Sequence, residues 1–391
     1  MRLGRRRRAS AGLFALALSL VVGTDATALS WTGDTPLSGN GSAWVYGGGM
    51  AVSSTTTAHS VYEQYVDGEW QVLYRRTGNS GTSWTAPIVL SRLGVNEGGT
   101  PAIDAYTTGV NAVWLEGDDI IGTSDAVVVH RRSGNTGQTW TASQQLSPPL
   151  EAAGIPRIAR TGSRVGVVWT NERTGTVWVR MSSDGGATWK ARIALATTTR
   201  AISSGVYEGY AAIAVSGSNV YVAYYAASKT LKLRRSTDGG ATWKSAVTLS
   251  TTGSGYNPSV AASGAYVVVG YAVRTSSDIY TAMRRSSNAG STWGSVVQLS
   301  PASSYPSFEP SITYRSGFRI GFEKCTSNSC SQSAVMYRSS STGATWGTAV
   351  RVTQVHRAYS TPGDLDVAGK ILVQYVSYDN DNADVWVRRG A

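Results

Sequence analysis

Cysteine is almost missing from this 391-residue chain, in which Cys325 and Cys330 are the only two. One pair cannot supply a four-ligand zinc site or a disulfide-dense scaffold. In an oxidising compartment the two are expected to join, closing a short loop worth roughly 2 kcal/mol by loop entropy; a pair of free thiols is the alternative. Histidine is scarce too: His59, His130 and His356 are scattered, with no His-x-x-His pair and no phosphate-binding glycine loop. Nothing therefore points to a histidine metal centre, a nucleotide site or a Ser–His–Asp triad. No apolar run after residue 28 is long enough to span a bilayer.

The first 28 residues stand apart. Arg2 and Arg5 to Arg8 precede the apolar run Ala11–Val22, and Ala26-Thr27-Ala28 follows it with small residues. That order reads as an export signal, general secretory in type, with Arg7-Arg8 leaving a twin-arginine route open. The mature, secreted chain is expected to begin near Leu29 and to form one domain over residues 29–391. Without the leader the net charge drops from +11 to +7, since five arginines and one aspartate leave with it. Much of the remaining basic charge sits in one recurring slot, as in Arg75-Arg76, Arg131-Arg132, Arg180, Arg234-Arg235, Arg284-Arg285, Arg338 and Arg388-Arg389. Charge placed by a repeat is spread around a molecule and not gathered in a groove, which argues against nucleic acid as partner.

The repeat itself is the strongest signal. Ser/Thr-x-Asp/Asn/Ser-x-Gly-x-Ser/Thr-Trp occurs at 77–84, 133–140, 182–189, 236–243, 286–293 and 339–346, with tryptophans 49–56 residues apart. Each position suits a tight hairpin. The side chains of Asn79, Asn135, Asp184, Asp238, Asn288 and Ser341 accept bonds from the turn's own N–H groups. Glycine permits a positive φ, and tryptophan buries a large ring. The box is structural, not catalytic. Around it lie alternating β-type segments such as Val72–Arg76, and six residues after each tryptophan stands Leu90, Leu146, Leu195, Leu249, Leu299 or Val352. Four short strands per unit of about fifty residues make a propeller blade. Trp31 to Ser38 repeats the strand that follows a box, and Gly363 to Arg389 supplies three strands that lack it. The expectation is an all-β, seven-bladed propeller of four-stranded antiparallel blades, closed by pairing the N-terminal strand with the last three. A six-bladed ring with ragged ends is the alternative.

These boxes resemble the Asp-box (bacterial neuraminidase) repeats shared by sialidases and other secreted propellers, and the resemblance spans the mature chain. For a sialidase it implies an arginine triad, a Tyr–Glu nucleophile pair and an aspartate acid/base, the first arginine lying in a Phe/Tyr-Arg-Ile-Pro motif. That motif is missing: Gly154-Ile155-Pro156-Arg157-Ile158 holds similar residues in another order. No catalytic residue is carried over. A seven-blade count is closer to the Asp-box propellers that act as lectins, assembly factors or glycan hydrolase modules.

The resemblance places ligands on the face opposite the boxes, where blade-to-blade connections and second-to-third strand loops meet. Those segments offer Glu97, Glu208, Tyr256, Tyr305, Glu309, Arg357 and Tyr359, with Glu323 from a second-to-third strand loop. Aromatic faces flanked by polar groups bind sugars, and glycosidic cleavage uses two carboxyls. The bland reading is that the glutamates are solvated and the tyrosines pack between blades. Asp125, Asp278 and Asp384 recur before third strands and read as structural. No cofactor is expected. Asp379-Asn380-Asp381-Asn382 has the oxygen chemistry of a calcium site but lacks the glycine and terminal glutamate of an EF-hand, and an ordinary polar turn competes. Three functions follow: a lectin-like glycan binder, a sialidase-type glycoside hydrolase, and a non-catalytic scaffold for a protein partner. Carbohydrate recognition ranks first.

Overall fold

Period-2 alternation with β-branched enrichment forces these segments into strands, and their short Gly/Ser/Asn connections force neighbours to pair antiparallel. The computed structural model describes residues 30–390 except 39–44, 47, 93–96, 118–124, 199–210, 227, 229, 251–253, 301–304, 354–356, 360–363, 368–369 and 380–381. Its strands form seven antiparallel sheets set in a ring, a seven-bladed β-propeller, with no helix among the described residues. Blade 2 is typical, running Glu97–Tyr106, Gly109–Gly117, Val127–Ser133 and Gln144–Gln145 in meander order. First strands of neighbouring blades touch, so they surround the axis, and the short fourth strands lie outermost.

The ring closes across the chain's two ends. Strand Thr35–Pro36 pairs with Asn382–Gly390, Thr35 opposite Val387 and Pro36 opposite Trp386. Trp31 bridges to Gly390, and the Leu37 N–H donates to the Val385 carbonyl at 2.8 Å. This makes blade 7 four-stranded and leaves no ragged sixth-blade edge.

Each second strand buries an aromatic ring at one register. Tyr62, Trp114, Trp169, Tyr224, Tyr271 and Phe322 lie opposite the third-strand residue four before the box hydroxyl of Thr77, Ser133, Ser182, Ser236, Ser286 or Ser340. Tyr375 lies opposite Trp386 in blade 7, which has no box. The box tryptophans behave differently from the expectation of deep burial. They are half-buried at the rims of inter-blade clusters, Trp140 edge-on to Tyr74 of the preceding blade (4.9 Å) and Trp189 edge-on to His130 (5.1 Å).

The slot arginines explain themselves at these seams. Arg131 donates from Nε to the Thr141 carbonyl of its own blade and from Nη1 to the Leu90 carbonyl of the preceding one (2.9 Å). Arg180, Arg234, Arg284 and Arg338 repeat the bridge to Leu146, Leu195, Leu249 and Leu299, and Arg388 reaches the Val352 carbonyl while its Nε turns to Asp34. The second arginine of a pair reaches forward: Arg76 to Thr136, Arg285 to the Thr342 carbonyl and Arg389 to Thr82. The hydroxyl after the leucine also recurs, Ser91, Ser147, Ser250, Ser300 and Thr353 each accepting a third-strand N–H; Ser38 does the same for Val385 in blade 7.

Two expectations follow from the seams. Leu37→Ala removes a fully buried side chain at the closing strand and is expected to lower unfolding stability by about 2–4 kcal/mol. Arg234→Ala strips donors from the Leu195 and Lys244 carbonyls and is expected to lose about 1–3 kcal/mol. Urea denaturation checks both, and a loss below 0.5 kcal/mol for either contradicts its assigned role.

Candidate functional site

The box hairpins and the first-to-second strand turns share one end of the ring, because they bond each other directly. Ser80, Thr136 and Gly185 donate their N–H groups to the carbonyls of Thr56, Thr108 and Ser163 at 2.7–2.9 Å. Within the boxes, Asn79, Asn135, Asp184, Asp238 and Asn288 each accept the N–H four residues on, at 2.9–3.0 Å. Blade 6 is one residue tighter than the box motif at 339–346 implies. There the hydroxyl accepting the Gly343 N–H is that of Ser340, so Ser341 stands one residue after it, not two. A Cβ at box glycine Gly137, where φ is +76°, would sit 1.7 Å from the Tyr74 hydroxyl of the preceding blade.

At the opposite end of the axis the first strands break their register in three blades. The irregularities fall between Gly99 and Ala102, Tyr256 and Ser259, and Phe308 and Ser311. Each contains a non-glycine residue at positive φ followed by proline: Thr100 (51°), Asn257 (48°) and Glu309 (47°). Proline disfavours that conformation in the residue before it, and a bulge with such backbone strain commonly re-aims a side chain at a functional surface. The Thr100 Oγ1 and Asn257 Oδ1 atoms are buried and make no hydrogen bond.

Carboxyl groups collect around these bulges. Glu63 of blade 1 accepts the Thr100 N–H at 2.5 Å. Burial pushes its carboxyl up to about 7, the Thr100 bond opposing and the nearby Glu97 adding to the rise. Burial likewise raises Glu309 to about 7, against the pull of Arg157, which acts on it from blade 3. Glu323, opposite Phe308 on the paired strand, is raised to about 8 by burial and then by Glu309, while a Ser333 hydrogen bond opposes. Glu309 thus adds to the rise of Glu323, and both carboxyls keep their protons to higher pH than a solvated glutamate, as a proton donor working near neutrality requires.

Other candidates fall elsewhere. Tyr256 is only 1% exposed, packed with Tyr225, Ala272 and Phe308 beneath Arg274, so its ring offers no stacking face. Tyr305 is exposed, and its carbonyl accepts from Lys324 Nζ. Glu97 lies half-buried at the start of its strand. Glu116 is fully buried against Arg92 (2.8 Å), and Glu151 against Arg192 (2.8 Å), so both serve as inter-segment clips. Arg357 and Tyr359 belong to a first-strand segment of blade 7; their side chains, like Glu208, His356 and the run Asn380-Asp381, lie outside the described residues. Cys325 and Cys330 are joined in a disulfide with Cα atoms 4.9 Å apart. It closes the loop just beyond Glu323. Glu323 Oε and the two sulfurs lie within 4.8 Å, but bonded sulfurs are no thiolate ligands, so this is not a metal centre.

The fold is shared with solved structures. YCF48 bound to D1 peptide is similar with a TM-score of 0.52 and 13% identity, over 92% of this chain and 98% of that one. A protein of unknown function from Dyadobacter fermentans gives 0.51 and 12%, over 93% and 99%. Trypanosoma rangeli sialidase in complex with sialic acid gives 0.49 and 16%, over 77% of this chain and 55% of that one. The chain thus spans about half the length of the sialidase structures it matches. At these identities the likeness concerns fold alone. No family model and no curated protein matches the sequence. No helix among the described residues is long and apolar enough to cross a membrane.

The raised carboxyls set a direction for stability against pH. The folded chain keeps protons that the unfolded chain releases near pH 4.3, so their contribution is lost as pH rises toward 8. His59 and His130, held down to about 3 by burial and then by Arg76 and Arg132, act in the opposite sense and only below about pH 6.5. Between pH 6.5 and 8, unfolding stability is expected to fall by roughly 1–3 kcal/mol, and Glu323→Gln to flatten that slope. Urea denaturation across the window checks this; a wild-type profile that rises would contradict the assignment.

Proposed function

We propose that this chain is an exported propeller of the Asp-box type that recognises carbohydrate at the axial end opposite its boxes. The neighbouring carboxyls of Glu309 and Glu323, with Arg157 acting on the first, carry the reading. A carboxyl that retains its proton near neutral pH donates to a sugar oxygen, its ionised neighbour accepts from a hydroxyl, and the guanidinium offers further donors. Thr100 Oγ1 and Asn257 Oδ1 add buried polar atoms at the same bulges. Among the described residues Arg157 is the arginine that acts on Glu309, and glutamates outnumber it there, which favours a neutral or amino sugar over a sialate. Two carboxyls are also what glycosidic cleavage uses, so turnover belongs in the test.

A glycan array followed by titration calorimetry is the experiment. Neutral or amino glycans are expected to bind, and Glu309→Gln or Glu323→Gln to weaken them at least tenfold. Aryl glycosides are expected to be hydrolysed only if the pair is catalytic, with the same variants abolishing turnover. Array silence, or glycan binding untouched by both variants, would overturn the site.

A protein-scaffold reading draws on one observation, the near full-length likeness to YCF48, solved with a bound peptide. Capture of peptides by a chain silent on glycans would establish it instead.

A further inference from the structure

The repeat does spread arginines round the ring, but it sets them all at one end. Arg76 meets the box of blade 2 at Thr136, Arg285 that of blade 6 at Thr342, and Arg389 that of blade 1 at Thr82. Those partners are carbonyls and hydroxyls, which satisfy the donors and leave the charge uncompensated. Acids at this end are few among the described side chains. Asp184 and Asp238 occupy the boxes of blades 3 and 4, whereas blades 5, 6, 1 and 2 have Asn288, Ser341, Asn79 and Asn135 in that place. Asp34 is matched by Arg388 at 2.8 Å. Asp104 is engaged beneath Arg160, whose N–H it accepts at 2.6 Å. Among the described side chains, an arc running from blade 5 through blade 7 to blade 2 therefore presents guanidinium charge with no free carboxylate beside it. Nearer the axis the same end exposes two rings, Tyr106 (48%) beside Arg160 (5.8 Å) and Tyr314 (37%) adjoining Arg315. The glutamates described above lie at the other end, so the molecule is polarised along its axis.

We infer that the box face is a second binding surface, one that takes an acidic polysaccharide. Guanidinium groups match carboxylate or sulfate geometry, and exposed tyrosines present flat faces to sugar rings. Among the described residues no element projects from the face to enter a duplex groove, and the exposed large side chains are tyrosines, not an apolar stripe able to enter a bilayer. The export signal expected at residues 1–28 would place the face outside the cell, where acidic polysaccharides are met. The inference is independent of the carboxyl site at the opposite end.

The test is binding of the full mature chain to polygalacturonate and heparin by calorimetry at 50 and 300 mM NaCl, with dextran, single-stranded poly(dT) and phosphatidylserine vesicles as comparators. Polygalacturonate or heparin is expected to bind, at least tenfold more weakly at the higher salt, and dextran not to bind. Arg76→Gln, Arg132→Gln and Arg285→Gln together are expected to reduce affinity at least tenfold. The corresponding lysine triple is expected to stay within threefold, and Glu323→Gln within twofold. Should the glutamine triple fail to fold, Arg132→Gln alone, which leaves the inter-blade bonds of Arg76 and Arg285 in place, is expected to lose about threefold. No polysaccharide binding at 50 mM NaCl, binding indifferent to these arginines, or tighter binding of poly(dT) or vesicles would each overturn the inference.

Discussion

Everything in this ring depends on a guanidinium that holds two backbone carbonyls at once. Blades of a propeller share no continuous hydrogen-bond ladder, so carbonyls at the end of each outer strand face the next blade without a partner. A buried acceptor left unpaired costs on the order of 1–3 kcal/mol. Arg131, Arg180, Arg234, Arg284, Arg338 and Arg388 remove that cost at six successive seams, each reaching back to the residue six past a tryptophan. The seam between blades 7 and 1 is solved differently, the Tyr62 hydroxyl donating to the Leu37 carbonyl. Tryptophans leaning on the preceding blade then seal the apolar side of the same seams.

The ring was legible in the sequence because its signals are local and repeated. Box spacing, alternation and the complementary fragments at 31–38 and 363–389 sufficed for seven blades and for their closure. What escaped was any role defined by a partner. A slot arginine reads as surface charge, since a carbonyl acceptor leaves no mark in sequence. The Leu-Ser pairs at 90–91, 146–147, 249–250, 299–300 and 37–38 were visible and point to the hydroxyl that holds each third strand. In blade 6 the one-residue contraction at Ser340 could not be seen, because three consecutive serines fit the motif in either frame.

The site was legible only in outline. Glu309 and Glu323 were recognisable as carboxyls at the end opposite the boxes, and strand pairing within blade 6 sets them near each other. The approach of Arg157 from three blades away depends on ring closure, which brings distant segments to one axis. Tyr256 shows the converse. A loop tyrosine looks the same in sequence whether it faces solvent or, as here, fills a gap beneath Arg274. Glu63 went unnoticed because it sits within an alternating strand, and only the Thr100 bond marks it as part of the cluster. A recoverable signal existed in Thr100-Pro101, Asn257-Pro258 and Glu309-Pro310, three X-Pro pairs at one register where a first strand should run unbroken.

The pairing of Thr35–Pro36 with the final strand has a mechanical consequence. Trp31 lies against Gly390, so the two ends of the clasp emerge side by side. Tension between them would part the bonds from Thr32–Arg389 inward, one after another, instead of loading them all together in shear. Such a zipper yields at low force although the blades it closes are firmly packed. A tether at either terminus therefore draws on the weakest direction of an otherwise stiff ring, and unravelling begins in blade 7.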